Sequence, residues 1–351
     1  MPSVEDVLKA LSEVTDPELA RDLVSLRMVG GVTVEDGVVT FTLNLTTPAC
    51  PLRTRLEEGA REAVAKLPGV KEVKMKTTSN VFATRDYSSS ETLKGVKNII
   101  AVASGKGGVG KSTVAVNLAI ALSASGASVG ILDADVYGPN VPHMMGVKSE
   151  VEFGDNMIIP PVAFGVKVAS MGFFYKGETP LIWRGPLVAG AVKQLLTQVN
   201  WGELDYLVVD LPPSTGDAPL TLAQSVPLGG VVIVTTPQEA ALNIAAKALA
   251  MFRRLNVPIL GIVENMSFFI CPKCGERTYV FSTGGGRRVA AQLDTDFLGE
   301  IPLDVAIREQ SDLGTPVIVA KPDSPQAAVF KEFAFKVAGM VSIVAFSKMK
   351  K

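Results

Sequence analysis

A glycine-rich loop decides the fold of this chain, and it reads Gly105-Lys106-Gly107-Gly108-Val109-Gly110-Lys111-Ser112-Thr113. Its glycines, its second lysine and its serine have the spacing of a phosphate-binding P-loop. Residues 98–103 before the loop form an apolar run typical of a buried strand, and residues 113–123 after it have helical periodicity. In such an arrangement backbone N–H groups and a helix N-terminus converge on an anion. The sequence therefore predicts a nucleoside triphosphate site to which all nine residues contribute.

The composition limits the classes of function that the chain can have. Its 351 residues are 47% hydrophobic and 20% charged, so we expect a large core and little disorder. The net charge of −1 gives no reason to expect nucleic-acid binding. No apolar stretch is long enough to span a bilayer, the acidic N-terminus lacks a signal-peptide core, and three cysteines are too few for a disulfide framework. We therefore expect a cytoplasmic protein with reduced thiols that binds neither nucleic acid nor a membrane.

The first part of the chain, residues 1–85, is predicted to be a small α+β domain. A helix opens it, and a second helical stretch is expected after Asp16-Pro17-Glu18. Alternating residues on both sides of Asp36-Gly37 predict a β-hairpin. An amphipathic helix over residues 52–67 and a third strand complete a unit that is large enough to fold independently.

The second part, residues 96–351, follows a polar, serine-rich linker at residues 86–95. Here nearly continuous apolar runs alternate with helical patterns. This alternation predicts an α/β fold with a doubly wound, mostly parallel sheet. The predicted strands are residues 99–103, 128–132, 206–209, 231–235 and 259–263.

Acidic side chains follow two of these strands, at the edge where such sheets bind their ligands. Asp133 and Asp135 come at the end of one strand, and Asp210 ends another. The position of Asp210 is that of a Walker B carboxylate, which holds Mg²⁺ through water, and Ser112 would supply a hydroxyl ligand. A carboxylate at a strand end can instead cap a helix, and that alternative stays open for all three.

Two cysteines at C-x-x-C spacing, Cys271 and Cys274, provide half of a tetrahedral sulfur site. The only other cysteine, Cys50, lies in the first part of the chain, and His143 is the sole histidine. One chain therefore cannot complete a four-thiolate site from this pair, whereas two chains related by a two-fold axis can. A shared cluster, a shared zinc ion and a redox-active pair remain possible on this evidence.

Residues 96–320 resemble the Mrp/ApbC family of iron–sulfur cluster carrier ATPases, whose P-loop is the deviant, MinD-like form with an extra lysine. The matching stretches occur in order at residues 105–113, 133–140, 183–186, 201–213, 265–266, 271–274 and 301–304. Residues 1–85 resemble the small iron–sulfur assembly domain that is often fused ahead of bacterial members. That second match is carried by residues 16–19 and 46–51.

For the nucleotide site, the resemblance implies binding and slow hydrolysis of ATP by a homodimer. Lys106 would reach across the dimer interface to the partner's nucleotide, while Lys111 contacts the β- and γ-phosphates in its own chain. Asp135 would position the attacking water, and Asn265 would contact the adenine base. Mg²⁺ would be held by Ser112, Asp133 and Asp210.

For the cysteine pair, the resemblance implies a 4Fe–4S cluster bridged between the Cys271 and Cys274 residues of two chains. The partners would be apo iron–sulfur proteins that receive the cluster and scaffold proteins that supply it. Cys50 lies between a predicted strand and a helix N-terminus, where the helix dipole would favour its thiolate, which would serve as a transient cluster site or a thiol-exchange site. A buried structural cysteine is the alternative for Cys50.

Three other functions compete with the carrier, and one of them is ATP-linked electron transfer in the manner of the nitrogenase iron protein. A MinD/ParA-like positioning ATPase, acting on a membrane or DNA, would share the loop but would not need Cys271 and Cys274. An ATPase with a structural zinc at its dimer interface would use the cysteine pair without carrying a cluster.

Overall fold

The structure is a computed structural model that describes residues 1–87, 93–136, 138–148, 152–154, 157–174, 185–214 and 217–348. Side chains of residues 185–189, 217–219 and 225 lie outside the description. So do residues 88–92 of the predicted linker, Tyr137, and Trp183 and Arg184 of the family-like stretches. By its contacts the chain divides into two compact units, Met1–Phe82 with Ala338–Lys351 (unit 1) and Ala83–Val337 (unit 2).

Unit 1 contains a three-stranded sheet and two helices near its N-terminus. Its elements are α1 (Val4–Leu11), β1 (Thr15–Asp16), β2 (Arg21–Asp22), β3 (Val29–Glu35), β4 (Val38–Leu45), α2 (Arg53–Ala65) and β5 (Glu72–Ser79). The sheet order is β3-β4-β5, antiparallel between the first two strands and parallel between the last two. Asp36 and Gly37 both have positive φ, at 49° and 86°, as the predicted hairpin turn requires. The inward residues of β4 pack in one cluster with the apolar stripe of α2, and these residues are Val39, Phe41, Leu43, Leu45, Leu56, Ala60 and Val64.

The prediction of a helix after Asp16-Pro17-Glu18 is wrong, because this segment forms turns and two short strands. The carboxylate of Asp16 accepts hydrogen bonds from the N–H groups of Glu18 at 2.8 Å and Leu19 at 3.1 Å, which closes a local turn. Ala20 then takes a left-handed conformation with φ of 50°. An aspartate that bonds the backbone two and three residues later offers the chain an alternative to a helix.

The last turns of the C-terminal helix, Pro325–Lys348, belong to unit 1. Phe346 packs against the core of that unit, and its ring meets the Phe82 ring edge to face at 4.9 Å between centroids. This assignment differs from the predicted domain bounds, which place the whole tail in the second part of the chain, residues 96–351. Because apolar residues lie on all faces of this helix, its periodicity cannot indicate which unit covers its end.

Unit 2 is an eight-stranded sheet with helices packed against it. Its elements are β6 (Ile99–Ser104), α3 (Lys111–Ala124), β7 (Val129–Asp133), α4 (Val141–Met144), β8 (Glu152–Gly154), β9 (Met157–Ile159), β10 (Val162–Ala163), β11 (Val166–Ser170), a 3₁₀ turn (Met171–Phe173), α5 (Gly185–Gln198), β12 (Tyr206–Asp210), α6 (Asp217–Ser225), β13 (Gly230–Thr235), α7 (Glu239–Arg254), β14 (Ile259–Glu264), β15 (Phe269–Ile270), β16 (Arg277–Thr278), α8 (Gly285–Gln292), β17 (Phe297–Glu300), α9 (Val305–Asp312) and α10 (Val317–Ala320). The C-terminal helix, α11 (Pro325–Lys348), begins in unit 2 and ends in unit 1.

The sheet order, β10-β11-β7-β12-β6-β13-β14-β17, is parallel except for the edge strand β10. Every residue of β6, β7, β12 and β13 is buried, as expected for strands of a parallel sheet covered on both faces. The predicted fold class is thus confirmed, and the five predicted strands correspond to β6, β7, β12, β13 and β14. The strand that carries the glycine-rich loop lies between β12 and β13, in the interior of the sheet. None of the helices in the described part of the chain has the length and apolarity needed to cross a membrane.

Candidate functional site

The P-loop joins β6 to α3, and glycine is required in it for two different reasons. Gly108 and Gly110 have φ of +77° and +81°, a backbone conformation that other residues adopt at a cost. Gly105 is needed for space, because a Cβ there would lie 2.6 Å from Cγ2 of Ile244 and 2.7 Å from the Ile244 carbonyl carbon. The spacing of the glycines therefore follows from conformation and from close packing on α7.

Lys111 is a buried cation in the first turn of α3, and its partners are the predicted carboxylates. Its Nζ lies 2.5 Å from Oδ1 of Asp210 and 3.9 Å from Oδ2 of Asp135. The hydroxyl of Ser112 donates to the other Asp210 oxygen at 2.6 Å. The structure thus brings together four of the predicted site residues, which come from the P-loop and from two strand ends.

The oxygen atoms of Ser112 and Asp210 fit a Mg²⁺ ion. This hard cation takes oxygen ligands and is bound through one or two protein groups together with the phosphates of the substrate. A hydroxyl and a carboxylate oxygen that already lie within hydrogen-bonding distance form such a pair.

Asp133 is the other residue predicted to organise Mg²⁺, and its side chain forms hydrogen bonds that stabilise the loop after β7. Its carboxylate accepts hydrogen bonds from the N–H groups of Asp135 at 3.1 Å and Val141 at 3.2 Å, and from the Ser170 hydroxyl at 3.1 Å. Burial, and next the charge of Asp210, raise the pKa of Asp133 to about 7. The contact of Asp133 with Mg²⁺ stays a prediction.

Asn265 lies against the P-loop. Its side-chain amide donates to the carbonyl oxygen of Val109 at 2.8 Å, and its backbone N–H donates to the carbonyl of Thr235. A Cβ added at Gly110 would lie only 2.2 Å from the Asn265 amide nitrogen, so the side chain packs directly on the loop. Its contact with a base stays a prediction.

Lys106 differs from Lys111 in its surroundings. It is half-exposed, next to the exposed Gly107 and Gly108, whereas the Lys111 side chain is 5% exposed. The Lys106 backbone is fixed by the hydroxyl of Ser104, which donates to its carbonyl oxygen at 3.0 Å. The two lysines of the loop are therefore not equivalent, and the role of Lys106 across a dimer interface stays a prediction.

The cysteine pair lies in the turn of a short hairpin, β15 with β16. The N–H of Cys271 donates to the Glu276 carbonyl at 2.9 Å, and the N–H of Gly275 donates to the Cys271 carbonyl at 2.8 Å. Cys271 is half-exposed and Cys274 exposed. Hydrogen bonds from the backbone N–H of Cys274, and next from that of Lys273, lower the pKa of Cys271. The turn therefore favours the thiolate, the form that ligates metals.

Each chain offers only these two thiols at the hairpin. Within the part of the chain that the structure describes, no three His, Cys, Asp or Glu side chains are grouped so that they could hold a metal ion. The pair therefore needs ligands from elsewhere to complete a four-coordinate site.

Cys50 is buried, and the predicted thiolate is wrong. Burial, together with the negative charges of Asp16 and Glu18, raises the pKa of Cys50 to about 11, although the hydrogen bond from the Leu52 N–H lowers it. The cost of burying a charge outweighs the dipole of the following helix. The alternative of a buried structural cysteine is the one that the structure supports.

Thiol chemistry gives a first test of these assignments. At pH 8 we expect Cys271 and Cys274 to react rapidly with a disulfide reagent and Cys50 to react at least about 100-fold more slowly, since only the thiolate is nucleophilic. Stopped-flow absorbance measures the phases, and Cys50→Ala should remove the slow phase alone. A fast third thiol in the native protein would contradict the burial of Cys50.

Two residues that shape the site, Ser170 and Glu264, are not among those predicted from the sequence. Ser170 pairs with Asp133 between β11 and β7 and donates to its carboxylate, but no pattern identified β11. Glu264 is fully buried at the end of β14 and accepts hydrogen bonds from Ser267 and from the N–H of Gly286. The sequence does contain a signal for Glu264, because this acidic residue comes at the end of a predicted buried strand just as Asp133 and Asp210 do.

Comparison with known families covers both parts of the chain. Residues 95–338 match the family described as "NUBPL iron-transfer P-loop NTPase". Residues 4–75 match a second family, described as "Iron-sulfur cluster assembly protein".

Similar curated proteins extend over nearly the whole sequence. An iron–sulfur cluster carrier protein of Synechocystis is 48% identical over 351 residues, which covers 98% of this chain and 99% of that protein. A carrier protein of Escherichia coli K12 is 40% identical, with 95% and 91% covered. The mouse iron–sulfur cluster transfer protein NUBPL is 47% identical over 275 residues, with 78% and 86% covered.

Solved structures agree with the fold. A nucleotide-binding protein from Archaeoglobus fulgidus, in complex with ADP, is 42% identical with a TM-score of 0.60, covering 69% of this chain and 96% of that one. The cell division ATPase MinD of Pyrococcus furiosus is 22% identical with a TM-score of 0.51 over 68% of this chain and 98% of its own, which supports the fold alone. Since the family match spans most of the chain and the relatives match it nearly end to end, the protein belongs to the iron–sulfur cluster carrier family of P-loop NTPases.

Proposed function

We propose that the protein is a cytoplasmic ATPase that works as a homodimer, holds a 4Fe–4S cluster between the cysteine pairs of its two subunits, and passes the cluster from scaffold to apo-proteins. The observation that carries this proposal is the hairpin turn with Cys271 and Cys274. It presents two accessible sulfurs, one of them with a lowered pKa, in the same unit as the P-loop.

The number of thiols supports the dimer. A 4Fe–4S cluster is held by four thiolates, and each chain provides two at this turn. Two copies related by a two-fold axis present the same surface to each other and so supply four. Exposure of the pair is what both cluster sharing and cluster release require, because a recipient must reach the sulfurs.

The nucleotide chemistry follows from the P-loop and the strand ends. Lys111 would contact the β- and γ-phosphates, and to do so it must exchange part of its present pairing with Asp210 for phosphate oxygens. Mg²⁺ held by Ser112 and Asp210 would supply charge neutralisation at the phosphates. Asp135, close to Lys111, would accept a hydrogen bond from the attacking water, and the partner's Lys106 would stabilise the charge that develops as the bond to the γ-phosphoryl group breaks.

Anaerobic reconstitution with iron and sulfide tests the proposal. We expect the wild-type protein to turn brown and to hold about four irons per dimer, since one 4Fe–4S cluster takes four thiolates. The double variant Cys271→Ala/Cys274→Ala should hold no stable cluster. Visible spectra, iron analysis and light-scattering mass together measure cluster and dimer.

Cys50→Ala is the matched control for that experiment, because it removes a thiol that the structure buries in unit 1. It should keep the full iron content. A wild-type protein that stays colourless and binds zinc tightly would support the structural-zinc function instead. Full iron content in the double variant would refute the assignment of the pair.

A further inference from the structure

The segment between the end of β14 and the cysteine hairpin is short, and the proposed function gives it no role. At residues 264–267 β14 ends in a turn, which we call the 264–267 turn. Asn265 of this turn donates its side-chain amide to the Val109 carbonyl in the P-loop at 2.8 Å. Cys271 comes only four residues after Ser267. One turn therefore touches the nucleotide loop at one end and leads into the cysteine pair at the other.

A buried carboxylate fixes the shape of the turn. Glu264 is fully buried, and its two oxygens accept hydrogen bonds from the Ser267 hydroxyl at 2.6 Å and from the Gly286 N–H at 2.5 Å. Burying such a group is costly unless it is hydrogen-bonded. The bond to Ser267 joins the first and last residues of the turn, and the bond to Gly286 holds the carboxylate against the start of α8. Met266 between them has a left-handed conformation, with φ of 55°.

Backbone hydrogen bonds also tie the turn to the segment after β17. The Ile301 N–H donates to the Glu264 carbonyl at 2.8 Å, and the Ser267 N–H donates to the Ile301 carbonyl at 3.0 Å. One step further along, the Leu303 N–H donates to the Phe268 carbonyl at 2.7 Å. The residues on both sides of the turn are therefore hydrogen-bonded to residues 301–303. Because the backbone is fixed on both sides, a displacement of Asn265 should also move the residues that lead to the hairpin.

The same network reaches the hairpin itself. The guanidinium of Arg277 in β16 lies 3.5 Å from the centroid of the Phe268 ring, and it also pairs with Glu300 at the end of β17. Phe268 is 9% exposed, so this stacking takes place at the edge of the core. The base of the hairpin thus packs on the residue that follows the turn.

We propose that the 264–267 turn couples nucleotide binding in the P-loop to the accessibility of the Cys271–Cys274 pair, with Ser267 as a positioning residue that acts through Glu264. The inference rests on the proposed function, in which a nucleotide occupies the P-loop and the pair holds the cluster. A nucleotide that shifts the Val109 carbonyl or engages the Asn265 amide changes one end of the network, and the bonds of Glu264 and Ser267 carry the change to the hairpin. Such a coupling is reciprocal in binding free energy.

The test measures the reaction of the pair with 4,4′-dithiodipyridine in the full-length protein without cluster, with and without saturating ADP and Mg²⁺. Cys50, which is buried, does not contribute to the fast phase. In the wild-type protein we expect ADP to change the rate at least about fivefold, the lower end of typical coupling between sites. In Ser267→Ala this ratio should fall close to one while the Kd for ADP stays within about twofold, since the hydroxyl contacts only Glu264 among the residues described.

Ser311→Ala is the matched control. Ser311 is buried like Ser267, at 5% and 0% exposure, and its hydroxyl donates to the Ile307 carbonyl inside α9. This variant should keep the wild-type ratio.

Two results would overturn the inference: an ADP-bound wild-type protein whose thiol rate is unchanged, or a Ser267→Ala variant that keeps the full ratio. Failure to bind ADP or to hold a cluster after reconstitution would count against the proposed function instead. If the wild-type protein binds ADP and holds a cluster but ADP leaves the thiol rate unchanged, the proposed function stands. The coupling through the 264–267 turn is then excluded.

Discussion

Lys111→Ala should abolish measurable nucleotide binding. The Lys111 ammonium is a buried cation in the first helical turn after the loop, where the phosphates of a bound nucleotide would lie. Charge-assisted hydrogen bonds contribute about 1.5–3 kcal/mol each, so losing contacts to two phosphates should weaken binding by at least about 100-fold. Titration calorimetry with ATP or ADP measures the change.

Lys106→Ala is the control from the same loop. Lys106 is half-exposed and is proposed to act on the partner's nucleotide, so its loss should leave ADP binding within about threefold and reduce ATP hydrolysis by at least about 100-fold. Lys111→Ala also leaves the buried Asp210 carboxylate without its cation, which can destabilise the fold. The melting temperatures of Lys111→Ala and of Lys111→Met, which keeps the apolar part of the side chain, should therefore be compared with that of the wild-type protein. Equal losses of binding in the two alanine variants would show that the lysines do not divide the roles in this way.

The P-loop and the carboxylates at the strand ends could be predicted because each depends on the local conformation of a few neighbouring residues, which the residue types indicate. Glycine at positions 108 and 110 reflects a positive φ, and Asp133 and Asp210 each end an apolar run. Parallel pairing of β7 with β12 then places those two carboxylates opposite each other in register. The fold class and the ends of the apolar runs are therefore enough to predict that both carboxylates lie at one edge of the sheet.

Features that depend on packing could not be predicted in the same way. Whether Cys50 is a thiolate depends on the balance between a helix dipole and desolvation, and desolvation is known only once its neighbours are placed. The partner of Phe346 is also set by packing, since its helix is apolar on every face. The Asn265 amide contacts a carbonyl 156 residues earlier in the chain, a distance over which periodicity carries no information.

Gly105→Ala should destabilise unit 2 and not merely weaken nucleotide binding. The added Cβ would meet three atoms of α7 at 2.6–2.9 Å, and two of them belong to the helix backbone at Ile244 and Ala245. A backbone cannot move aside as a flexible side chain can, so the cost should reach about 3 kcal/mol, the upper end for overpacking. We expect a fall in melting temperature of about 10 °C, measured by circular dichroism without nucleotide.

Gly107→Ala separates this packing cost from the general effect of altering the loop. Gly107 is exposed, and the nearest atom to its added Cβ is a Pro213 carbon at 4.0 Å, which is ordinary contact. Its melting temperature without nucleotide should therefore stay within about 2 °C of the wild-type value, as for surface substitutions in general. Equal destabilisation by the two substitutions would mean that the loop tolerates no side chain for reasons of backbone conformation. A stable Gly105→Ala variant would show instead that α7 can withdraw from the loop, and then close packing would not explain the first glycine of the pattern.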